Sequence, residues 1–272
     1  MRGYLRKMDV VHQDPVDYYL RLGDQELHLN PYIGKPIKLV YHQSIECLYC
    51  GRATKKSFSQ GYCYPCFRKL ARCDLCVVSP DRCHYYEGTC REPDWGEKFC
   101  MQPHIVYLAN SSGIKVGITR VENLPNRWID QGATQALPVI SVDTRQQSGF
   151  VEKAFKRHVS DTTKWQQMLK ADGDTIDLAS ERDRLLDELE PELEVLRGRF
   201  GPQSIRPMPE AEIRVIRYAV KQFPTKVVSL NFDKTPEIAG TLLGIKGQYL
   251  LLDIGVINLR KFTSYEVELV DE

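Results

Sequence analysis

Alternation with a period of two opens the chain. Tyr18-Tyr-Leu-Arg-Leu22 and Glu26-Leu-His-Leu29 flank Gly23-Asp24, and Ile37-Lys-Leu-Val-Tyr41 follows the turn-like segment from Pro31 to Pro36. Alternating runs bounded by glycine and proline predict strands joined by tight turns, so residues 1–46 are expected to form an N-terminal β segment. Its histidines, His12, His28 and His42, have no partner at ligand spacing and are expected on the surface or in strands.

Two periods meet in residues 104–170. His104-Ile-Val-Tyr-Leu-Ala109 alternates as a strand, Asn110-Ser-Ser-Gly113 is a hairpin turn, and Ile114-Lys-Val-Gly-Ile-Thr119 is the return strand. Asn123 to Gln131 then reads as a helix, Leu137 to Val142 as a third strand and Ser148 to Val159 as a second helix. The predicted order is ββαβα. In the second helix Val151, Phe155 and Val159 form the apolar stripe, with Glu152 at its margin.

From Asp177 to Phe200 leucines recur at helical spacing among charged residues, and residues 171–206 are expected to form an acidic amphipathic helix and a linker. Pro191 predicts a kink or a break into two helices. Gly201 to Pro209 reads as the linker, and Ala211 to Lys221 as a short helix. Lys226–Leu230, Gly240–Ile245, Gln248–Asp253 and Val256–Leu259 read as strands. Residues 207–272 are therefore expected as a small C-terminal β domain, barrel-like in the oligonucleotide-binding or SH3 manner. Both chain ends are short for an independent core, which favours a shared sheet. The expected fold class is α+β. Phe232, Tyr249, Phe262 and Tyr265 are expected in core or edge packing, with base stacking as the alternative.

Cysteine usage changes this picture. All nine cysteines fall in residues 47–103: the pairs Cys47/Cys50, Cys63/Cys66 and Cys73/Cys76, then Cys83, Cys90 and Cys100. Two residues between cysteines let one turn aim both sulfurs at a single tetrahedral ion, so the pairs read as zinc ligands. Cys47, Cys50, Cys63 and Cys66 are assigned to a first structural zinc. A second zinc draws on Cys73, Cys76, Cys83, Cys90 and Cys100, five thiols for four places, with His84 and His104 as substitutes. Cys47-Leu-Tyr-Cys-Gly-Arg52 followed by Gly61-Tyr-Cys-Tyr-Pro-Cys66 at a helix start resembles a treble-clef site. Iron on the same thiolates is the alternative metal.

With 42% hydrophobic and 27% charged residues, the composition is that of an ordinary globular protein. The start of the chain carries no apolar run fit for a signal peptide and no stretch reaches membrane-span length. A cytoplasmic address, reduced thiols and no membrane partner are the expectation. The net charge of +1 is unevenly spread: +3 over 47–103, +4 over 104–170 and −6 over 171–200. A zinc with four thiolates carries about two net negative charges, so the durable basic excess lies in 104–170. Arg52, Lys55, Lys56, Arg68, Lys69, Arg72 and Arg120 are candidate phosphate contacts.

The ββαβα order, with Ile105-Val-Tyr107 and Lys115-Val-Gly-Ile-Thr119, resembles the GIY-YIG nuclease domain. The whole chain is similar to an uncharacterised prokaryotic family that joins a cysteine-rich segment to such a core, a family that supplies no activity to borrow. The resemblance implies phosphodiester cleavage: Arg127 at the place of the helix arginine, Glu152 at that of the Mg²⁺- or Mn²⁺-binding glutamate, and Tyr107 aiming a water. Lys115 replaces the usual second tyrosine and acts as a base only where burial or nearby cations lower its pKa. Ile105 stands where the first motif has glycine. The expected function is a nucleic-acid-processing protein, a candidate endonuclease with structural zinc. The alternative is a non-catalytic DNA-, RNA- or protein-binding protein with a degenerate core. Convergence of Tyr107, Lys115, Arg127 and Glu152 on one open cleft separates the two readings in part, and burial of Glu152 in an internal ion pair would sink the enzyme reading.

Overall fold

A computed structural model describes residues 1–270, so the last two residues of the expected 207–272 domain lie outside the described residues. The chain opens with β1 (Arg2–Tyr4), β2 (Asp9–Val11), β3 (Asp17–Leu22), β4 (Gln25–His28) and β5 (Pro36–Ile45). The cysteine segment holds the short helices α1 (Tyr64–Lys69) and α2 (Pro93–Phe99). Then come β6 (His104–Asn110), β7 (Ile114–Arg120), α3 (Asn126–Asp130), β8 (Gln135–Val142), α4 (Arg145–Phe155), α5 (Trp165–Met168) and α6 (Leu178–Phe200). The chain closes with β9 (Ile205–Pro207), β10 (Arg214–Val215), β11 (Glu237–Lys246), β12 (Tyr249–Leu252), β13 (Gly255–Asn258) and β14 (Tyr265–Val270). The class is mixed α+β, and every paired strand is antiparallel to its neighbours.

The chain ends meet in one sheet, ordered β1-β14-β5-β11-β12-β13. Among the described residues this sheet is an open path and does not close into the barrel expected of the C-terminal segment. The ten-residue β5 from the N-terminal segment sits between β14 and β11, and the sheet ends at the short strands β1 and β13. Its apolar face is covered by a neighbouring sheet instead of by itself.

That neighbour has the order β10-β8-β6-β7, with β9 also paired to β8. Alternation along β6 explains its position between layers. Ile105, Tyr107 and Ala109 join the core shared with the terminal sheet, while Val106 and Leu108 face Val151 and Phe155 of α4 and Leu185, Leu189 and Leu193 of α6. A strand buried on both faces carries apolar residues at nearly every position, and all seven residues of β6 are buried. Phe232, Phe262 and Tyr265 belong to the shared core and Tyr249 stacks on Trp165 at 5.8 Å, so packing claims these rings.

Three local expectations need correction. The 211–221 segment is not a helix: Arg214-Val215 adds to the edge of β8 and Ile216 N–H donates to Thr134 O at 2.9 Å. Sheet pairing here overrides a weak helical pattern. Residues 226–230 hold a single bridge, Ser229 to Val256, in place of a strand. Helix α6 runs through Pro191 as one helix; Pro191 is on the exposed face, and burial of Leu185, Leu189 and Leu193 on the other outweighs the lost hydrogen bond. Among the described residues no helix is long and apolar enough to cross a membrane.

Two substitutions in α6 separate packing from propensity. Leu185→Ala, at a fully buried site, is expected to cost about 2–5 kcal/mol. Pro191→Ala is expected to stabilise, by up to about 3 kcal/mol. Urea unfolding midpoints at constant slope check both.

Candidate metal centre and basic cleft

The first cysteine cluster is built by two turns. After β5, Cys47 N–H donates to Arg52 O and Gly51 N–H returns to Cys47 O, both at 2.9 Å, with Gly51 in the left-handed region at φ 67°. The second pair starts α1, with Cys63 as its cap and Pro65 in the first turn. Leu48 N–H donates to Gly61 O at 2.8 Å and ties the turns together. Gly61 has no room for a side chain, since a Cβ there would lie 2.3 Å from Leu48 Cδ1.

Together these turns bring the sulfurs of Cys47, Cys50, Cys63 and Cys66 within 4.8 Å of one another. Cys50 and Cys63 are 3.7 Å apart, and tetrahedral Zn–S bonds of about 2.3 Å place sulfurs about 3.8 Å apart. The cluster is compatible with a zinc site. Burial, which raises a thiol pKa, is overcome at Cys47 by backbone amides of Cys50, Cys63 and Tyr49, which bring it to about 6. The same burial and the neighbouring sulfurs push Cys66 up.

The other cysteines divide. Cys73 packs with Cys47, Cys63, Cys66 and Leu70. Cys76, Cys83, Cys90 and Cys100 line a separate small cavity with His84 beside them. His104 lies apart from both, buried in β6 with its Nδ1 2.6 Å from Gln102 O.

An open cleft of about 1070 Å³ lies between the layers and draws on every part of the chain. Arg6, Lys7 and Arg21 come from the N-terminal strands, and Arg72 from the cysteine segment. The middle sheet and its helices supply Arg120, Arg127 and Arg145, and the C-terminal sheet supplies Arg260. Against these eight cations the cleft has Asp9, Asp24 and Glu152. Lys7 pairs with Asp130 at 2.5 Å, Arg21 with Asp9 at 3.0 Å, and Arg120 with Glu122. Among the described residues Arg6, Arg72, Arg127, Arg145 and Arg260 form no ion pair. Burial, and then the charge of Arg127, lower the pKa of Arg260, and burial lowers that of Arg145.

Of the four expected catalytic residues, Arg127 and Glu152 line this cleft, while Tyr107 and Lys115 lie behind it. Tyr107 is fully buried and donates to Gln131 Oε1 at 2.9 Å. It faces Gly117 across the strand pair, where a Cβ would come within 2.6 Å of its hydroxyl, so the glycine is what makes room for the ring. Burial raises the Tyr107 pKa, opposed by the Arg127 guanidinium beside it. Lys115 is 3% exposed; burial and then Arg127 lower its pKa to about 8. Glu152 is pushed up by burial, opposed by Lys156. Lys156 pairs with Glu152 at 3.6 Å and with Asp161 at 2.7 Å, and the mostly buried Glu152 remains in the cleft lining. Asp130 is bound by Lys7 and Gln248.

Among the expected phosphate contacts, Arg72 and Arg120 line the cleft, and Arg52, Lys55, Lys56, Arg68 and Lys69 are exposed outside it. Sequence reasoning missed Arg6, Lys7, Arg21, Arg145 and Arg260. Arg145 had a signal: it follows the capping Thr144 in the first turn of α4, where a cation opposes the helix dipole. The others are scattered over segments that only folding brings together.

The four-thiolate cluster has a direct check. Cys47→Ser is expected to lose one zinc per chain and to lower the thermal midpoint, while Lys55→Ala changes neither; metal analysis and calorimetry read the outcome.

No curated protein and no solved structure matches this chain. Its family model does match, over residues 34–267. That span takes in the cysteine cluster, the middle sheet, most of the terminal sheet and the cleft residues from Arg72 to Arg260. The chain belongs to the family described as Protein of unknown function (DUF2797).

Proposed function

We propose that the cleft binds the phosphodiester backbone of a nucleic acid and cleaves it with the help of a divalent metal. The observation that carries the reading is the gathering of five arginines without ion pairs among the described residues, Arg6, Arg72, Arg127, Arg145 and Arg260, in a cleft that Glu152 of α4 also lines. Guanidinium groups held together without carboxylates repel one another, and a chain of phosphates relieves that cost with bidentate hydrogen bonds. The motif resemblance of residues 104–152 adds the expectation of cleavage.

Each residue has a role set by its position. Arg127 and Arg145 neutralise the phosphate oxygens as charge builds on them. Glu152 is the residue to hold Mg²⁺ or Mn²⁺, which supplies Lewis-acid activation of water and phosphate; one or two carboxylates suffice for such a site. A carboxylate held above its usual pKa by burial gains from a cation beside it. Lys115, with its pKa near 8, is neutral in part at physiological pH and accepts the proton of the attacking water. The new P–O bond then forms as the bond to the leaving oxygen breaks. Tyr107, bonded to Gln131, holds Arg127 in place. Zinc on the cysteine segment is structural in this reading, with every coordination place taken by thiolate.

A second reading, a binder without catalysis, is favoured by one observation: the Tyr107 hydroxyl and the Lys115 ammonium are both buried behind the cleft wall. Cleavage of labelled DNA and RNA with Mg²⁺ or Mn²⁺ separates the two. Wild type is expected to cleave, at a rate that rises with pH through about 8 as Lys115 loses its proton. Glu152→Ala is expected to bind the same substrate and lose at least about a hundredfold in rate. Binding without cleavage by both proteins assigns the binder reading, and absence of binding by both contradicts the cleft itself.

A further inference from the structure

We propose that Cys76, Cys83, Cys90 and Cys100 form a second four-thiolate metal site that clamps the helix carrying Glu152, and that Cys73 is not among its ligands. The four cysteines line one cavity of about 10 Å³ whose walls include Tyr85, Trp95 and Gly96. A space of that size takes a single small occupant. Helix α2 approaches it directly through Gly96, where a Cβ would sit 3.3 Å from Cys90 Sγ and 3.0 Å from the Tyr85 ring. The four sulfurs are not all within 4.8 Å of one another as those of the first cluster are; a thiophilic divalent ion is the partner that would draw them together around the cavity.

Two neighbours compete for the place and are already engaged. Ligand atoms of Asp74 and His84 lie within 4.8 Å of each other and of Cys76. Asp74 is held by Arg91 at 2.6 Å and by the Leu75 amide at 2.5 Å, however, and both nitrogens of His84 have partners, Nδ1 2.7 Å from Thr89 Oγ1 and Nε2 3.6 Å from Asp74 Oδ2. These two form an outer ring to the thiolates. Cys73 faces the other way, into the first cluster.

The loop that carries this site is fastened to the start of α4. Arg145 N–H donates to Cys100 O at 2.7 Å, Arg145 Nη2 to Val77 O at 2.6 Å and Gln146 Nε2 to Cys83 O at 2.7 Å. Gly149 lets the loop touch the helix backbone, since a Cβ there would lie 2.4 Å from Asp81 N. Glu152 follows Gly149 by three residues, one turn on and on the same side. Metal binding in the loop therefore fixes both Arg145 and Glu152 at the cleft.

The test reads metal content and amide exchange, and so stands apart from the cleavage reading. Full-length protein made with zinc is expected to hold two zinc ions per chain. Cys90→Ser is expected to hold one and to exchange amides of residues 145–152 at least about tenfold faster, a shift of about 1.4 kcal/mol in local opening. Cys73→Ser and His84→Ala are expected to keep two and to leave that exchange unchanged. Should Cys90→Ser fail to fold, cobalt titration of the metal-free wild type decides: two equivalents with thiolate charge-transfer absorption are expected. Saturation at one equivalent, or loss of an ion in Cys73→Ser or His84→Ala, overturns the assignment. Two ions in Cys90→Ser, or one ion with unchanged exchange, does so as well.

Discussion

Among the described residues five guanidinium groups without carboxylate partners share one cleft, and the gathering of like charge there is the constraint that the architecture meets. Burial, and then the Arg127 guanidinium, work against protonation at both Lys115 and Arg260. A cost of that kind persists only where the surrounding structure holds the groups in place. Here the frame is a middle sheet buried on both faces, a terminal sheet made from both chain ends, and a cysteine segment folded around its four-cysteine cluster. Each contributes at least one arginine, so the charge density of the cleft is a product of tertiary structure.

The frame also explains why acidic residues lie elsewhere. Helix α6 packs its leucines on the face of the middle sheet opposite the terminal sheet, and its glutamates pair with Arg184 and Arg197 on the helix surface. Among the described residues no acidic side chain of α6, which carries much of the negative charge that brings the whole chain to +1, lines the cleft. A near-neutral protein can present a strongly basic groove on these terms.

How much of this was legible in the sequence depended on the range of each signal. Local periodicity carried the strands around Gly23 and the order from His104 to Phe155, because each hairpin and helix is fixed by neighbours in sequence. Cysteine spacing carried the first cluster, where two turns are enough to aim four sulfurs. Arg127 was singled out only through the family resemblance, whereas Glu152 was legible as a cleft residue by its place at the margin of the apolar stripe of α4. The barrel was not, because β5 enters between β11 and β14 from far away in sequence. Nor was the burial of Tyr107, which lies in the core shared with the terminal sheet, or of Lys115, whose edge strand is bridged by Ser160. The 211–221 segment shows the same limit: Arg214 and Val215 become strand only because the edge of β8 is there to pair with.

The central claim is that the cleft neutralises several backbone phosphates at once, and the salt dependence of nucleic-acid affinity tests it most directly. With five unpaired arginines in the cleft, the logarithm of the affinity is predicted to fall against that of salt with a slope near −4.5 for duplex DNA, or about −3.5 for single strands. Arg127→Ala should make the slope shallower by about one unit, while Arg68→Ala, outside the cleft, should leave it unchanged. A slope near zero in the wild type, or one that Arg68→Ala alters and Arg127→Ala does not, would contradict the account.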